Sequence, residues 1–276
     1  MPEKPEVITV ARSLEPNIIH KEITGCNVYW DNIIATPSVF MFKKSIVHEK
    51  ILSVTTRGKF IVIELSHYYL LIHLRMEGKF FFRKVGDKKE KHEHVEFILD
   101  EDISFQYHDV RKFGKMYLLN KDTYLDEKPL SELGLEYNDT QLTSDYLLNR
   151  FSKKSLPIKS VLLDQSIIAG IGNIYDDEIL FLSHIHPLQK ANTLKRKDCE
   201  NIIYFTKEVL DHAVELGGTT IKSFTSSEGV HGLFQNELLV HGKDQKPCPN
   251  CGTIIQKIKV NGRGTYYCSK CQKIKK

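Results

Sequence analysis

The sequence predicts an α+β protein of two domains, β-rich in its first half and helical in its second, closed by a cysteine-bearing hairpin. Three observations carry this reading. Short strand-like segments follow one another from residue 25 to residue 119. Helical periodicity takes over from residue 143 to residue 216. Four of the six cysteines then fall in two Cys-x2-Cys pairs near the end of the chain.

The elements follow in order. After Pro5, the residues Val7, Val10, Ala11 and Leu14 repeat as i, i+3, i+4, i+7, an amphipathic helix that ends near Pro16-Asn17. Strands are expected at 25–30, 51–54, 60–65, 70–74, 79–82, 95–99, 103–107 and 114–119, a spacing that suits a sandwich or barrel. Residues 120–145 are rich in Asp, Glu, Asn and Thr and read as the interdomain connection. Helices are expected at 143–151, 157–167, 174–182 and 195–216. The last buries Ile202, Phe205, Val209, Ala213 and Leu216 and is capped by Gly217-Gly218.

Between two of these helices lies Gly170-Ile171-Gly172-Asn173, with Asn173 where the next helix starts. A turn that aims free N–H groups outward from a helix start binds phosphate, and Lys153, Lys154 and Lys159 stand just upstream. Taken alone, Gly-x-Gly is also ordinary turn chemistry, and the lysines an ordinary solvated face.

The cysteines Cys248-x2-Cys251 and Cys268-x2-Cys271 are separated by sixteen residues, the spacing of a four-thiolate zinc site. Two disulfides are the alternative, but no secretory signal precedes them. The β-prone runs 253–260 and 265–267 flank Asn261-Gly262, a hairpin signal. Cys26 and Cys199 stand alone and read as buried thiols.

Charge is unevenly placed. The chain carries a net +4, yet residues 241–276 hold nine Lys/Arg against the single acid Asp244. A hairpin so charged is a handle for phosphate backbones. No apolar run reaches the roughly 18 residues of a membrane helix. At the other end, removal of Met1 would leave Pro2 as a secondary amine beside Glu3. An N-terminal amine, with a reference pKa of about 8, is partly unprotonated near neutrality and can attack a sugar carbon. The bland alternative is a proline in the first turn of a helix.

The chain resembles the formamidopyrimidine-DNA glycosylases of the helix–two-turn–helix family from end to end. The resemblance rests on Pro2-Glu3-x-Pro5-Glu6-Val7, Arg57-Gly58-Lys59-Phe60, His73-Leu74-x-Met76, Lys91-His92-x-His94-Val95 and Asp109-Val110-Arg111-Lys112-Phe113-Gly114. It continues through Gly170-x-Gly172-Asn173-Ile174-Tyr175, Gly217-Gly218-Thr219-Thr220, Phe234-Gln235-x-Glu237-Leu238 and the finger with Gly262-Arg263-Gly264-Thr265. It implies a β-sandwich led by one helix (1–133), a helix–two-turn–helix domain with a lesion-capping loop (134–238) and a zinc β-hairpin finger (239–276).

The implied activity is removal of oxidised purines from damaged double-stranded DNA, followed by strand cleavage at the abasic site, by a monomer in the bacterial cytoplasm. Pro2 would be the nucleophile, Glu3 the acid at the sugar ring oxygen, and Lys59 the helper on the 3′-phosphate side. Arg263 would clamp phosphate for the second elimination, and Glu6 would order the N-terminus or a water. Met76, Arg111 and Phe113 would fill the gap left by a flipped nucleotide. His92, Lys154 and Asn173 would contact DNA, and Cys248, Cys251, Cys268 and Cys271 would hold one structural zinc ion. Lys4 replaces the family's usual leucine, Arg75-Met76-Glu77 stands where Gly-Met-Ser is more usual, and Ile221–Leu233 corresponds to the loop over the flipped base. These departures bear on lesion preference, with oxidised pyrimidines, as in endonuclease VIII, the near alternative. A non-catalytic DNA-binding relative would be expected to lack Pro2, Glu3 or Lys59.

Overall fold

In the computed structural model, which describes residues 1–100, 102–219 and 232–275, helix α1 (Lys4–Ile18) starts with proline in its first turn, where the missing N–H costs nothing. Its Val7, Val10, Ala11, Leu14 and Ile18 are buried, the stripe expected from their spacing. The helix runs on past Pro16 for two residues.

Nine strands and one short helix follow: β1 (Ile23–Val28), β2 (Ile34–Thr36), α2 (Val39–Ile46), β3 (Ile51–Arg57), β4 (Phe60–Leu65), β5 (Tyr68–His73), β6 (Lys79–Lys84), β7 (Glu93–Leu99), β8 (Ile103–His108) and β9 (Lys115–Asn120). They form two sheets, ordered β2-β9-β5-β4-β3 and β1-β7-β8-β6. One hydrophobic core joins Ile61, Ile63, Leu70 and Ile72 of the first sheet to Phe80, Phe97 and Phe105 of the second and to the α1 stripe. This is a sandwich led by a helix. β2 and α2 were not expected. Helix α2 is capped by the Ser38 hydroxyl, buries only Phe42 and Ile46 and leaves Phe40 and Met41 exposed, so its apolar residues follow no clean period.

The chain divides into two compact units, 1–131 with 217–233, and 132–216 with 234–276. The second contains β10 (Leu135–Glu136), α3 (Ser144–Phe151), α4 (Ile158–Leu162), β11 (Ile168–Ala169), α5 (Asn173–Leu182), α6 (Arg196–Glu215) and the hairpin β12 (Gln256–Val260) and β13 (Arg263–Tyr267). Helix α4 stops five residues short of the expected 167. Asp164 takes the N–H and hydroxyl of Ser166 into a turn, and β11 then pairs with β10. Of the residues expected to be buried in α6, Ile202, Val209 and Ala213 are, while Phe205 and Leu216 are half-buried. The helix ends at Gly217 and Gly218, both at positive φ. Asn261 and Gly262, at φ 44 and 77, make the tight turn of the hairpin. Most of the expected loop Ile221–Leu233, residues 221–231, lies outside the described residues.

Candidate active site and nucleic-acid interface

The start of the first unit is buried. Pro2, Glu3 and Glu6 are all enclosed, although Met1 is exposed. Glu6 makes this arrangement. Its Oε2 accepts the Glu3 N–H at 2.8 Å, while Oε1 accepts both the N–H and the hydroxyl of Thr219, at 2.7 and 2.9 Å. Gly218 has no room for a side chain, since a Cβ there would come within 2.7 Å of the same carboxylate. The Lys4 ammonium is also buried and bonds the hydroxyl and carbonyl of Thr56, at 3.0 and 3.3 Å. This pins the first turn of α1 to the end of β3, three residues before Lys59. Lys59 is buried directly after Gly58, whose positive φ makes the β3–β4 turn.

A second cluster forms around Tyr107. Its hydroxyl fills the space beside Gly78 and Gly114, where a Cβ would come within 2.3 and 1.8 Å of it. The turn that carries Met76 and the loop 109–114 are thereby drawn to one buried hydroxyl. Asp109, fully buried, organises the loop. Its carboxylate accepts the N–H groups of Arg111, Phe113 and Gly114 at 3.0, 2.9 and 2.8 Å.

Arg111 and Phe113 consequently face solvent together, the guanidinium 4.8 Å from the ring centroid. Phe113 is 49% exposed, which excludes a core role, and Met76 is half-buried. His92 joins this group: its carbonyl accepts the Asp109 N–H at 3.0 Å and its ring lies 5.7 Å from that of His108. His73, at the end of β5, accepts the Arg75 N–H through Nδ1. Burial, with the nearby charges of Arg75 and Lys59, pushes its pKa down to about 3.

In the second unit the upstream lysines are less open than their run suggests. Lys159 is fully buried and bonds Asp177 at 2.5 Å, so it belongs to the interior and not to a solvated basic face. An isolated buried ammonium is costly, and the partner eighteen residues along the chain offsets part of that cost. Lys154 pairs with Asp164 at 2.9 Å and stays one-third exposed. Asn173, the first residue of α5, spends an amide N–H on the Gly264 carbonyl at 3.0 Å. It braces the hairpin directly beside Arg263, which is exposed.

The acids Asp177 and Glu178 had no assigned role. Glu178 accepts three successive N–H groups, from Leu239, Val240 and His241, and Asp177 bonds the His241 ring at 2.7 Å. Together they fix the chain as it enters the finger. The only hint in the sequence is a run of acids inside an otherwise apolar helix.

The four paired cysteines converge, with all their Sγ atoms within 4.8 Å of one another. The pairs Cys248/Cys271 and Cys251/Cys268 are 3.9 and 3.5 Å apart. A tetrahedral zinc ion with Zn–S bonds of about 2.3 Å needs sulfur separations of about 3.8 Å, so the donor set fits zinc. Hydrogen bonds from Thr253 hold the Cys251 thiol down, at about 6. Burial pushes Cys26 and Cys199 up to about 12, as inert thiols.

Residues 1–116 match the family description "Formamidopyrimidine-DNA glycosylase N-terminal domain", 133–225 "Formamidopyrimidine-DNA glycosylase H2TH domain" and 245–274 "Zinc finger found in FPG and IleRS". The formamidopyrimidine-DNA glycosylase of Bacillus subtilis is 42% identical over 273 residues, covering 99% of both chains. That of Exiguobacterium sibiricum is 45% identical over 275 residues, with the same coverage. A Lactococcus lactis Fpg solved with DNA containing N7-benzyl-Fapy-dG superposes with a TM-score of 0.91 at 36% identity, covering 99% of this chain and 100% of that one. The Lactococcus lactis Fpg solved with abasic-site DNA gives 0.91 at 36% identity, over 98% and 99%.

Proposed function

The chain belongs to the formamidopyrimidine-DNA glycosylase family, and we propose that it excises oxidised purines, chiefly 8-oxoguanine and formamidopyrimidines, from duplex DNA and then cuts the strand on both sides of the vacated sugar. The observation that carries this reading is the enclosed start of the chain, where Glu6 fixes Glu3 and Lys4 pins the same turn beside the Lys59 hairpin.

With Met1 removed, the Pro2 nitrogen attacks C1′ of the lesion. The bond from C1′ to the base breaks, and the base leaves with the electron pair and takes up a proton. Glu3 protonates the ring oxygen as the sugar opens, leaving a cationic iminium between Pro2 and C1′. A secondary amine suits this step because its adduct is already a cation and an electron sink. Loss of a C2′ proton breaks the 3′ C–O bond, aided by Lys59. A second proton loss breaks the 5′ C–O bond, with Arg263 holding phosphate through paired donors. Hydrolysis then frees Pro2.

Met76, Arg111 and Phe113 hold the duplex open where the nucleotide has left it. His92, Lys154 and the start of α5 at Asn173 add contacts to the backbone, and the zinc finger presents Arg263. The protein acts on damaged double-stranded DNA as a monomer in the bacterial cytoplasm. Among the described residues no helix is long and apolar enough to cross a membrane.

Borohydride trapping tests this reading. A covalent complex should form with duplex carrying 8-oxoguanine, and its peptide map should end at Pro2. Pro2→Gly should fold and bind lesion DNA yet lose most of the trapping and excision. Retention of Met1 by intact mass, or a cross-link at another residue, would refute the assignment of the nucleophile. Faster excision of oxidised pyrimidines than of 8-oxoguanine would move the lesion class to the endonuclease VIII type.

A further inference from the structure

Trp30 is the only tryptophan of the chain. It caps the short turn Asp31–Ile33 that connects β1 to β2. The Lys112 ammonium lies over its ring, 4.0 Å from the centroid. Lys112 is the residue between Arg111 and Phe113, and it is held at φ 58, a left-handed conformation that side chains other than glycine, Asn and Asp seldom adopt. Its N–H is spent on the Asp109 carbonyl at 3.3 Å. Just past the loop, the Lys115 ammonium donates to the Asn32 carbonyl. The β1–β2 connection therefore holds the loop through the ring face under Lys112, and the start of β9 through the carbonyl that Lys115 meets. Lys112 stays exposed but leans on the Trp30 ring, while the exposed Arg111 guanidinium lies over Phe113.

We infer that Trp30 is a positioning residue for base eviction: its ring captures Lys112 and so holds the 109–114 loop in the conformation that presents Arg111 and Phe113 as a pair. The inference rests on the proposed role of Arg111 and Phe113 in the gap left by the flipped nucleotide. Trp30 acts through the loop, so its loss should slow eviction and leave the grip on the DNA backbone alone. A cation over an aromatic face is a modest interaction, and its loss should cost about fivefold in rate.

The test is a double-mutant cycle in the full-length, zinc-loaded protein. Single-turnover excision of 8-oxoguanine and affinity for undamaged duplex are measured for Trp30→Leu, Lys112→Gln and the pair. Each single variant should excise about fivefold more slowly, and the double variant no more slowly than either, because both remove one interaction. Affinity for undamaged duplex should change less than twofold, and Trp30→Phe should restore most of the rate. As the sole tryptophan, Trp30 should also shift its emission in DNA-free Lys112→Gln.

Multiplying rate losses, or an emission maximum that Lys112→Gln leaves in place, would overturn the pairing. Equal loss of undamaged binding in Trp30→Leu would make Trp30 a DNA contact instead. Phe113→Ala is the control for the underlying reading: if it excises at the full rate, the assignment of the gap-filling residues has failed, whatever the cycle shows.

Discussion

Glu6 and Thr219 are bonded twice, the N–H and the hydroxyl of Thr219 both ending on Glu6 Oε1. The other oxygen takes the Glu3 N–H, so one buried carboxylate fixes both the first turn of the chain and a segment 213 residues away. Glu6→Gln puts an NH2 group where one of these donors must be accepted. An unsatisfied buried donor costs about 1–3 kcal/mol, enough to lower the first unfolding transition by several degrees. Calorimetry should show that drop, and borohydride trapping should slow with it. An unchanged transition would mean that the carboxylate is dispensable to the fold.

Asp109 should matter through the main chain it holds. Asp109→Asn turns a donor toward the N–H groups of Arg111, Phe113 and Gly114, and the loop should open. Lesion excision should fall at least about tenfold, or ~1.4 kcal/mol of barrier. Affinity for undamaged duplex, measured in parallel, should stay within about twofold.

Arg263 is exposed, whereas Lys154 already has Asp164 as a partner. Arg263→Ala should therefore reduce the salt slope of binding by about 0.9, one phosphate's worth, on lesion and undamaged DNA alike. Lys154→Ala should reduce it by less. Isotherms at several salt concentrations decide the matter, and a loss confined to lesion DNA would disprove a backbone role for Arg263.

Cys268→Ser removes one of four thiolates. Bound zinc, measured by atomic absorption, should drop from about one per chain to near zero, since a three-thiolate remnant lacks the closed tetrahedral set. DNA affinity should fall sharply while the sandwich keeps its circular dichroism.

His73 gives a pH dependence of known sign. Its folded pKa is about 3, against 6.5 for the ordinary group. Between those values the unfolded chain binds the extra proton, so stability falls as pH drops from about 6.5 toward 3 and is fully present above that window. Glu178, whose pKa burial pushes up, acts with the opposite sign, so whole-protein curves mix the two. His73→Asn can keep the acceptor for the Arg75 N–H and removes only the titration. Its stability relative to the parent should improve steadily below pH 6.5 in urea unfolding, and parallel curves would disprove the assignment.

Much of the fold was legible because local patterns repeat. The α1 stripe, the strands of both sheets apart from β2, the Asn261-Gly262 turn and the cysteine pairs each declare themselves within a few residues. What was hidden depends on partners distant in the chain. Lys159 looks like a surface lysine until Asp177 is placed beside it, and α2 is masked by the exposed Phe40 and Met41. Glu6 was legible as an acid of interest, but its bond to Thr219 was not. The residues proposed to fill the gap were named by resemblance alone; residue type by itself favours the core for Phe113, and its exposure reverses that. Asp109, which holds the main chain of Arg111 and Phe113, stood in a quoted motif, but nothing in the sequence showed its bonds to that main chain.

The zinc ligands are also wall material. Cys248 and Cys268 are buried in one small apolar cluster with Phe181, Val240 and Ile255. Stripping the metal from four crowded thiolates would splay this cluster and bring those side chains to water. Chelation or thiol oxidation would then do more than remove the DNA contact proposed for the finger, since a newly wetted apolar patch makes molecules adhere to one another. Metal loss would then be a problem of colloidal solubility, and oxidative stress would bring it on in the same conditions that oxidise DNA bases.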